Sequence, residues 1–281
     1  RCAGITMAFL SRPLASVLAA AALLAACSAD DPSPAEQEAA ARVPGAPPGA
    51  ASDLRARRAA ASDVRQNDDL IEFAYAYPRD AAAIPQLAEW LDNDRATRRD
   101  ALLAAARRDR AAADKAGFPY RRHSHLQKWQ TVTNTPRFLS LSAEIDTYKG
   151  GAHGMTSFAT ALWDRNRARQ LQPLDLFASG DAFDATIREP FCAGIKRAKA
   201  AKGIVAEEAP DSPFARCPPA SAQTVWLGSS DGRYLDRMTI AIAPYEIGPF
   251  AEGSYKINVP VTKAVADVVK DDFARDFLPI N

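Results

Sequence analysis

The sequence predicts an α+β (mixed α/β) fold: a largely antiparallel sheet with packed helices. Three observations predict it. Ile71, Phe73, Tyr75 and Tyr77 alternate with smaller or polar neighbours, as in a half-buried strand. The segments run in the order strand, helix, several strands, helix, several strands, helix, which is not the strict alternation of a parallel α/β fold. Asn134-Thr135-Pro136 and Ser229-Ser230-Asp231-Gly232 each lie between two apolar runs, as hairpin turns do.

The elements follow in order. The folded part begins near Asp69. Pro78 stops the first strand, and residues 80–116 read as helix with Pro85 in a first turn. Leu87, Trp90 and Leu91 form one apolar stripe; Leu102, Leu103 and Ala106 form another. The polar stretch 93–99 between them predicts a break or an exposed middle. Gly117 and Pro119 end the helix. Strands are expected at 126–133, 137–145 and 155–163, then a short apolar connector at 171–177. Asp181 is the expected N-cap of a helix to about 202, in which Pro190 predicts a kink or two pieces. Strands at 224–227, 234–243 and 253–259 follow, and Thr262 caps a last helix through 270 with Val265, Val268 and Val269 on its face.

The first 66 residues have another character. Residues 1–27 read as a targeting segment with Met7 as the expected start. Arg12 precedes an apolar run at 13–26, of signal-peptide length and too short and alanine-rich for a membrane span. It ends Leu24-Ala25-Ala26-Cys27, which resembles the bacterial lipobox. That resemblance implies lipidation of Cys27 and membrane attachment through the lipid anchor. Ser28 resembles the signal sorted to an outer membrane, so the expected address is the periplasmic side of a bacterial cell envelope. Residues 28–66 are rich in Ala, Pro, Asp, Glu and Arg and nearly free of large apolar side chains, so they read as a disordered tether. A flexible coil of that length spans on the order of 35 Å.

Charge and cysteines narrow the function. Residues 1–27 hold two arginines and no acid, so the rest of the chain carries 33 basic and 34 acidic residues, a net charge of −1. That balance gives no support to a nucleic-acid partner. With Cys2 upstream of Met7 and Cys27 as the lipid site, Cys192 and Cys217 remain. In an exported, oxidising compartment pairing is the default. A loop of this length makes such a bridge worth about 3 kcal/mol in the chain-entropy account. A catalytic or metal-binding cysteine has little support, because His153 is the last histidine and lies well upstream of both.

Two loops carry candidate binding residues. In Asp146-Thr-Tyr-Lys-Gly-Gly-Ala-His-Gly154, Gly150 and Gly151 permit close backbone approach, Tyr148 can stack on a sugar or side chain, and His153 can donate or accept a proton. Catalysis there needs a partner carboxylate, for which Asp146 and Glu246 are candidates; a plain structural turn is the other reading. Tyr245-Glu246-Ile247-Gly248-Pro249-Phe250 is the second loop, with Tyr245, Glu246, Pro249 and Phe250 suited to a recognition surface or to a core plug. Gly228-Ser-Ser-Asp-Gly232 matches the letters of a nucleophile elbow, but it lies between strands and no histidine follows it. His123-Ser124-His125 sits beside Arg121 and Arg122, so a surface loop is expected there and no metal site.

These motifs carry a resemblance. The run from Leu70-Ile-Glu-Phe-Ala-Tyr-Ala-Tyr-Pro78 through Trp129, Asn134-Thr-Pro136, Ser140-Leu-Ser142 and Tyr148-Lys-Gly-Gly-Ala-His153 resembles the domain ahead of the catalytic part of PdaC-type peptidoglycan deacetylases. Gly151-Ala-His153, Leu174-Asp-Leu-Phe177 and Pro244-Tyr-Glu-Ile-Gly-Pro-Phe-Ala-Glu-Gly253 resemble the extracytoplasmic domain of RsiV-type anti-sigma factors, which sense lysozyme. The resemblance implies two closely associated subdomains, 67–150 and 151–281. It implies a non-catalytic envelope protein whose possible partner is a lysozyme-like protein or peptidoglycan, with no cofactor. Deacetylase and sigma-binding segments are not recognised in the sequence. A metal-assisted hydrolase using His153, or a structural lipoprotein, are the alternatives.

Overall fold

Alternation and pairing build the first sheet. A computed structural model of the chain describes residues 60–204 and 211–280. Strand β1 (Ser62–Asn67) pairs antiparallel with β2 (Ile71–Tyr77). A short helix α1 (Arg79–Ala82) and a long helix α2 (Pro85–Ala116) then cross over to β3 (His123–Asn134), which runs parallel to β2. Strands β4 (Phe138–Tyr148), β5 (Met155–Asp164) and β6 (Arg169–Leu171) add antiparallel, giving the order β1-β2-β3-β4-β5-β6. The fold is thus mixed α+β, with one parallel pair in a mostly antiparallel arrangement.

Two expectations change here. Ser62 to Gln66, assigned to the tether by composition, are part of edge strand β1; its alternation is polar, so no apolar pattern announces it. The expected boundary between residues 150 and 151 falls inside this sheet, because β5 pairs with β4 along its whole length. Cys27, the expected lipid site, and most of the expected tether lie outside the described residues.

Helix α2 is unbroken, so of the two expectations for 93–99 the break is not seen, while Asn93, Ala96, Thr97 and Arg99 are exposed. Asp94 and Arg98, on the other side of this stretch, turn toward the sheet. Asp94 accepts from the Tyr75 hydroxyl at 2.9 Å and pairs with Arg98, and Asp92 accepts from Tyr77 at 2.9 Å. The Tyr75 oxygen in turn accepts from Trp129 Nε1 at 2.9 Å. Buried tyrosine and tryptophan need such partners, so the helix carries acids where the sheet carries hydroxyls. Leu87, Leu91, Leu102 and Ala106 flank that polar layer and bury against Ile71, Phe73, Leu141 and Ile145.

The second sheet packs on the opposite face. After a 3₁₀ turn at Pro173–Leu176, helix α3 (Gly180–Ala201) begins at Ser179, whose side chain accepts from the Ala182 N–H; Asp181, the expected cap, is in the first turn. Pro190 lies inside this one helix and does not divide it. Phe183, Ile187, Phe191 and Ile195 recur every four residues and form its buried stripe. Strands β7 (Thr224–Gly228), β8 (Arg237–Ile242) and β9 (Tyr255–Pro260) form an antiparallel three-stranded sheet. Gly194 lets α3 approach β9 closely, since a Cβ there would meet Ile257 Cγ2 at 2.4 Å. Cys192 and Cys217 are joined by a disulfide with Cα atoms 5.7 Å apart, fastening α3 to the segment before β7. Phe138 and Leu162, on the face of the first sheet away from α2, belong to this second core.

The chain closes with helix α4 (Lys263–Ala266), capped by Thr262, and a 3₁₀ turn at Asp271–Asp276. The helix ends before residue 270 because the next backbone groups pair elsewhere: Val268 O accepts from Ala178 N and Lys270 N donates to Leu176 O. The 3₁₀ turn docks on the β3–β4 hairpin through Arg137. Its guanidinium pairs with Asp164 at 3.1 Å and Asp276 at 2.7 Å, and lies over the Phe138 and Phe273 rings. Asp164 is fully buried. Burial and the Asp164 carboxylate hold the Asp276 pKa above its ordinary value, against the pull of Arg137.

Candidate functional site

The tip between β4 and β5 follows from their register. Thr147 pairs with Met155, so residues 148–154 must turn the chain. Gly150 adopts φ +83°, a conformation open to glycine at little cost. Gly151 presents its carbonyl to the Tyr148 hydroxyl at 2.9 Å and to Arg121 at 3.2 Å. His153 Nδ1 lies 2.8 Å from the Gly154 carbonyl. A carbonyl only accepts, so Nδ1 carries the proton and a neutral ring leaves Nε2 to accept from the Tyr245 hydroxyl at 3.2 Å.

That contact joins the two loops the sequence marks. His153 stacks on Phe250 with ring centroids 3.7 Å apart at 19°, and Tyr245 lies 5.6 Å from Phe250. Tyr245 is 47% exposed and holds φ +73°. A non-glycine residue there stores roughly 1 kcal/mol or more of strain, which surrounding structure must enforce. The enforcement sits at the root of the loop. Ile247 is buried. The Glu252 carboxylate pairs with Lys199 at 3.4 Å and accepts from the Tyr255 hydroxyl, while Lys202 donates to the Ser254 carbonyl at 2.8 Å. Burial lowers the Lys202 pKa, partly offset by Glu252; burial and then Glu252 raise that of Tyr255. Glu252, Lys199 and Lys202 were not singled out in the sequence; a lone acid beside Gly253 was the available signal.

The expected residues therefore divide. His153, Tyr245 and Phe250 converge in one solvent-facing aromatic cluster, with Glu246 and Pro249 exposed beside them on the same loop. Tyr148, Gly150 and Gly151 face Arg121 instead. Neither candidate carboxylate contacts His153. Asp146 accepts from Thr156 at 2.5 Å and lines a groove of about 520 Å³ on the open outer face of the first sheet, over Ala74, Ala76 and Leu126.

The reading of His123 and His125 as a surface loop is corrected. Both lie in β3, facing α2, 1% and 7% exposed. They continue the inward alternation of Gln127 and Trp129, which polar letters conceal. His125 stacks on Phe73 and contacts Gln127 Oε1 at 2.9 Å; burial lowers its pKa, with Gln127 opposing. His123 Nε2 lies 3.1 Å from Asp109. The three histidines have separate partners, and among the described residues no three His, Cys, Asp or Glu side chains converge as a metal-ligand set.

Fold and site together describe an α+β domain that presents an exposed aromatic surface where two loops meet. Residues 64–156, from β1 to the start of β5, match the family described as Deacetylase PdaC. No curated protein matches the chain. Among solved structures, a DUF3298 family protein from Pseudomonas aeruginosa PAO1 is similar at 18% identity and a TM-score of 0.48, covering 79% of this chain and 95% of that one. A DUF3298 member from Bacteroides fragilis NCTC 9343 is similar at 16% identity and a TM-score of 0.46, covering 77% and 95%.

Proposed function

We propose that the protein is a lipid-anchored lipoprotein of the bacterial cell envelope, its non-catalytic domain binding a wall-related ligand, either a lysozyme-like protein or a peptidoglycan fragment. The observation that carries this reading is the exposed His153 stacked on the half-buried Phe250, beside the exposed Tyr245, whose backbone is held in the left-handed region. Three aromatic rings gathered at one solvent-facing place suit both sugar stacking and a protein hot spot. The lipobox-like Leu24-Ala-Ala-Cys27 supports the address, and the RsiV-type motifs at 151–253 support the ligand class. A hydrolase reading draws less support, since His153 meets a tyrosine and a carbonyl and no carboxylate.

Calorimetry of the chain from Ser28 onward tests the reading, with lysozyme in one titration and muropeptides in another. Saturable heat with one of them is expected, lost in Phe250→Ala. No heat with either removes the proposal.

A further inference from the structure

The hairpin tip has a second neighbourhood that the aromatic cluster does not use. Lys149 and Gly150 close one side of a cleft of about 310 Å³, whose other walls come from the end of α2 and the segment before β3. Small-molecule sites begin at about this size.

The lining is chemically divided. On one side are Phe118, 56% exposed, and Tyr120, with Pro119 between them. Phe118 follows the helix-ending Gly117, and its N–H closes the last turn by donating to Ala113 O at 3.2 Å. A hydrophobic residue at that position ordinarily packs back on its own helix; here most of the ring faces solvent. On the other side are Arg121 and Lys149. Arg121 spends one terminal nitrogen on Gly151 O and Tyr148, and among the described residues the rest of the guanidinium and the Lys149 ammonium have no partner. The one acid on the wall, Asp109, accepts from His123 Nε2 at 3.1 Å and offsets one of the two cations, so the rim keeps an excess of one positive charge. His123 itself is 1% exposed, and its Nδ1 is a buried polar atom with no hydrogen-bond partner. With Nε2 donating to Asp109, a neutral ring leaves Nδ1 as an acceptor, which a carboxylate does not engage.

A cationic rim facing an apolar wall, in a space for one or two small residues, selects a carboxylate attached to a small apolar group. We propose that this cleft binds the free C-terminal carboxylate of a short peptide with small apolar side chains. Arg121 and Lys149 take the carboxylate, and Phe118 and Tyr120 cover the side chain. The site is independent of the aromatic surface, so either can fail without the other.

The test is a titration of the isotope-labelled full chain, followed by NMR, with three probes: N-acetyl-alanyl-alanine, its C-terminal amide, and acetate. At concentrations up to about 10 mM, binding down to the millimolar range is visible. The free acid is expected to shift the amide signals of Phe118, Tyr120, Lys149 and Gly150, with the amide and acetate each bound about tenfold more weakly. Lys149→Gln and Arg121→Gln, both on exposed side chains, each weaken the free acid by about fivefold or more, while Phe250→Ala leaves its affinity unchanged. The proposal is overturned if the amide binds as well as the acid. It is equally overturned if the shifts map elsewhere, if none appear, or if Lys149→Gln binds like the parent chain.

Discussion

The two ends of strand β4 meet the rest of the chain in opposite ways. At its start, the β3–β4 turn is locked by Arg137 to Asp164, which is fully buried, and to Asp276. At its far end, the β4–β5 tip touches the second sheet through an aromatic stack open to solvent. Both ends join segments distant in sequence. One does so with desolvated charges that have no free valence left for a ligand. The other leaves aromatic faces, a strained Tyr245 and, among the described residues, a Lys149 ammonium without a partner at the surface. The first arrangement serves stability; the second holds in place the groups proposed for recognition.

The largest effect should come from breaking the first end. Arg137→Ala leaves Asp164 without its main counter-charge, although the Asn166 and Arg167 N–H groups still donate to it. Unfolding in urea should show a loss of about 3 kcal/mol, toward the lower end for a severed buried pair. Phe250→Ala is the matching change at the second end. It should cost only about 1 kcal/mol of stability and yet weaken the wall-ligand heat about tenfold in calorimetry. A stability loss there as large as that of Arg137→Ala would erase the distinction between the ends.

Tyr245 sharpens the comparison further. Tyr245→Gly and Tyr245→Ala both remove the ring, but only glycine relieves the positive φ. The glycine variant should be more stable than the alanine variant by about 1 kcal/mol in urea, with ligand binding equally weakened in both. The smallest effect concerns pH and belongs to the middle of the sheet. Burial keeps His125 neutral in the folded chain, with its pKa below the unfolded value of 6.5. The unfolded chain then binds more protons just below that pH, so stability should fall on acidification from pH 6.5 downward. Urea midpoints at successive pH values should show that fall, and His125→Gln should flatten it.

How much was legible depended on whether burial was written in apolar letters. Strand β2 and the two hairpin turns follow from alternation and turn chemistry, and so do the fold class and the general positions of the strands. Strand β1 was hidden because an edge strand with a polar face needs no apolar period. The unbroken run of α2 and the burial of His123 and His125 were hidden for one shared reason. A polar layer lies between helix and sheet, where Asp94, Tyr75, Gln127 and His125 hydrogen-bond in place of apolar contacts. The candidate loops were recognisable from their glycines, prolines and aromatics. That His153 would rest on Phe250 was not, because the contact spans nearly 100 residues and depends on how β5 and β8 are placed by their cores.

The central claim is that the tip of the β4–β5 hairpin and the Tyr245 loop form the ligand surface. Hydrogen-exchange footprinting of the chain with and without saturating lysozyme or muropeptide addresses it most directly. The account predicts slowed exchange at residues 151–155 and 243–251, with no change at 135–137. Protection centred on the Arg137 turn, or on the open outer face of the first sheet over Ala74 and Ala76, would contradict it.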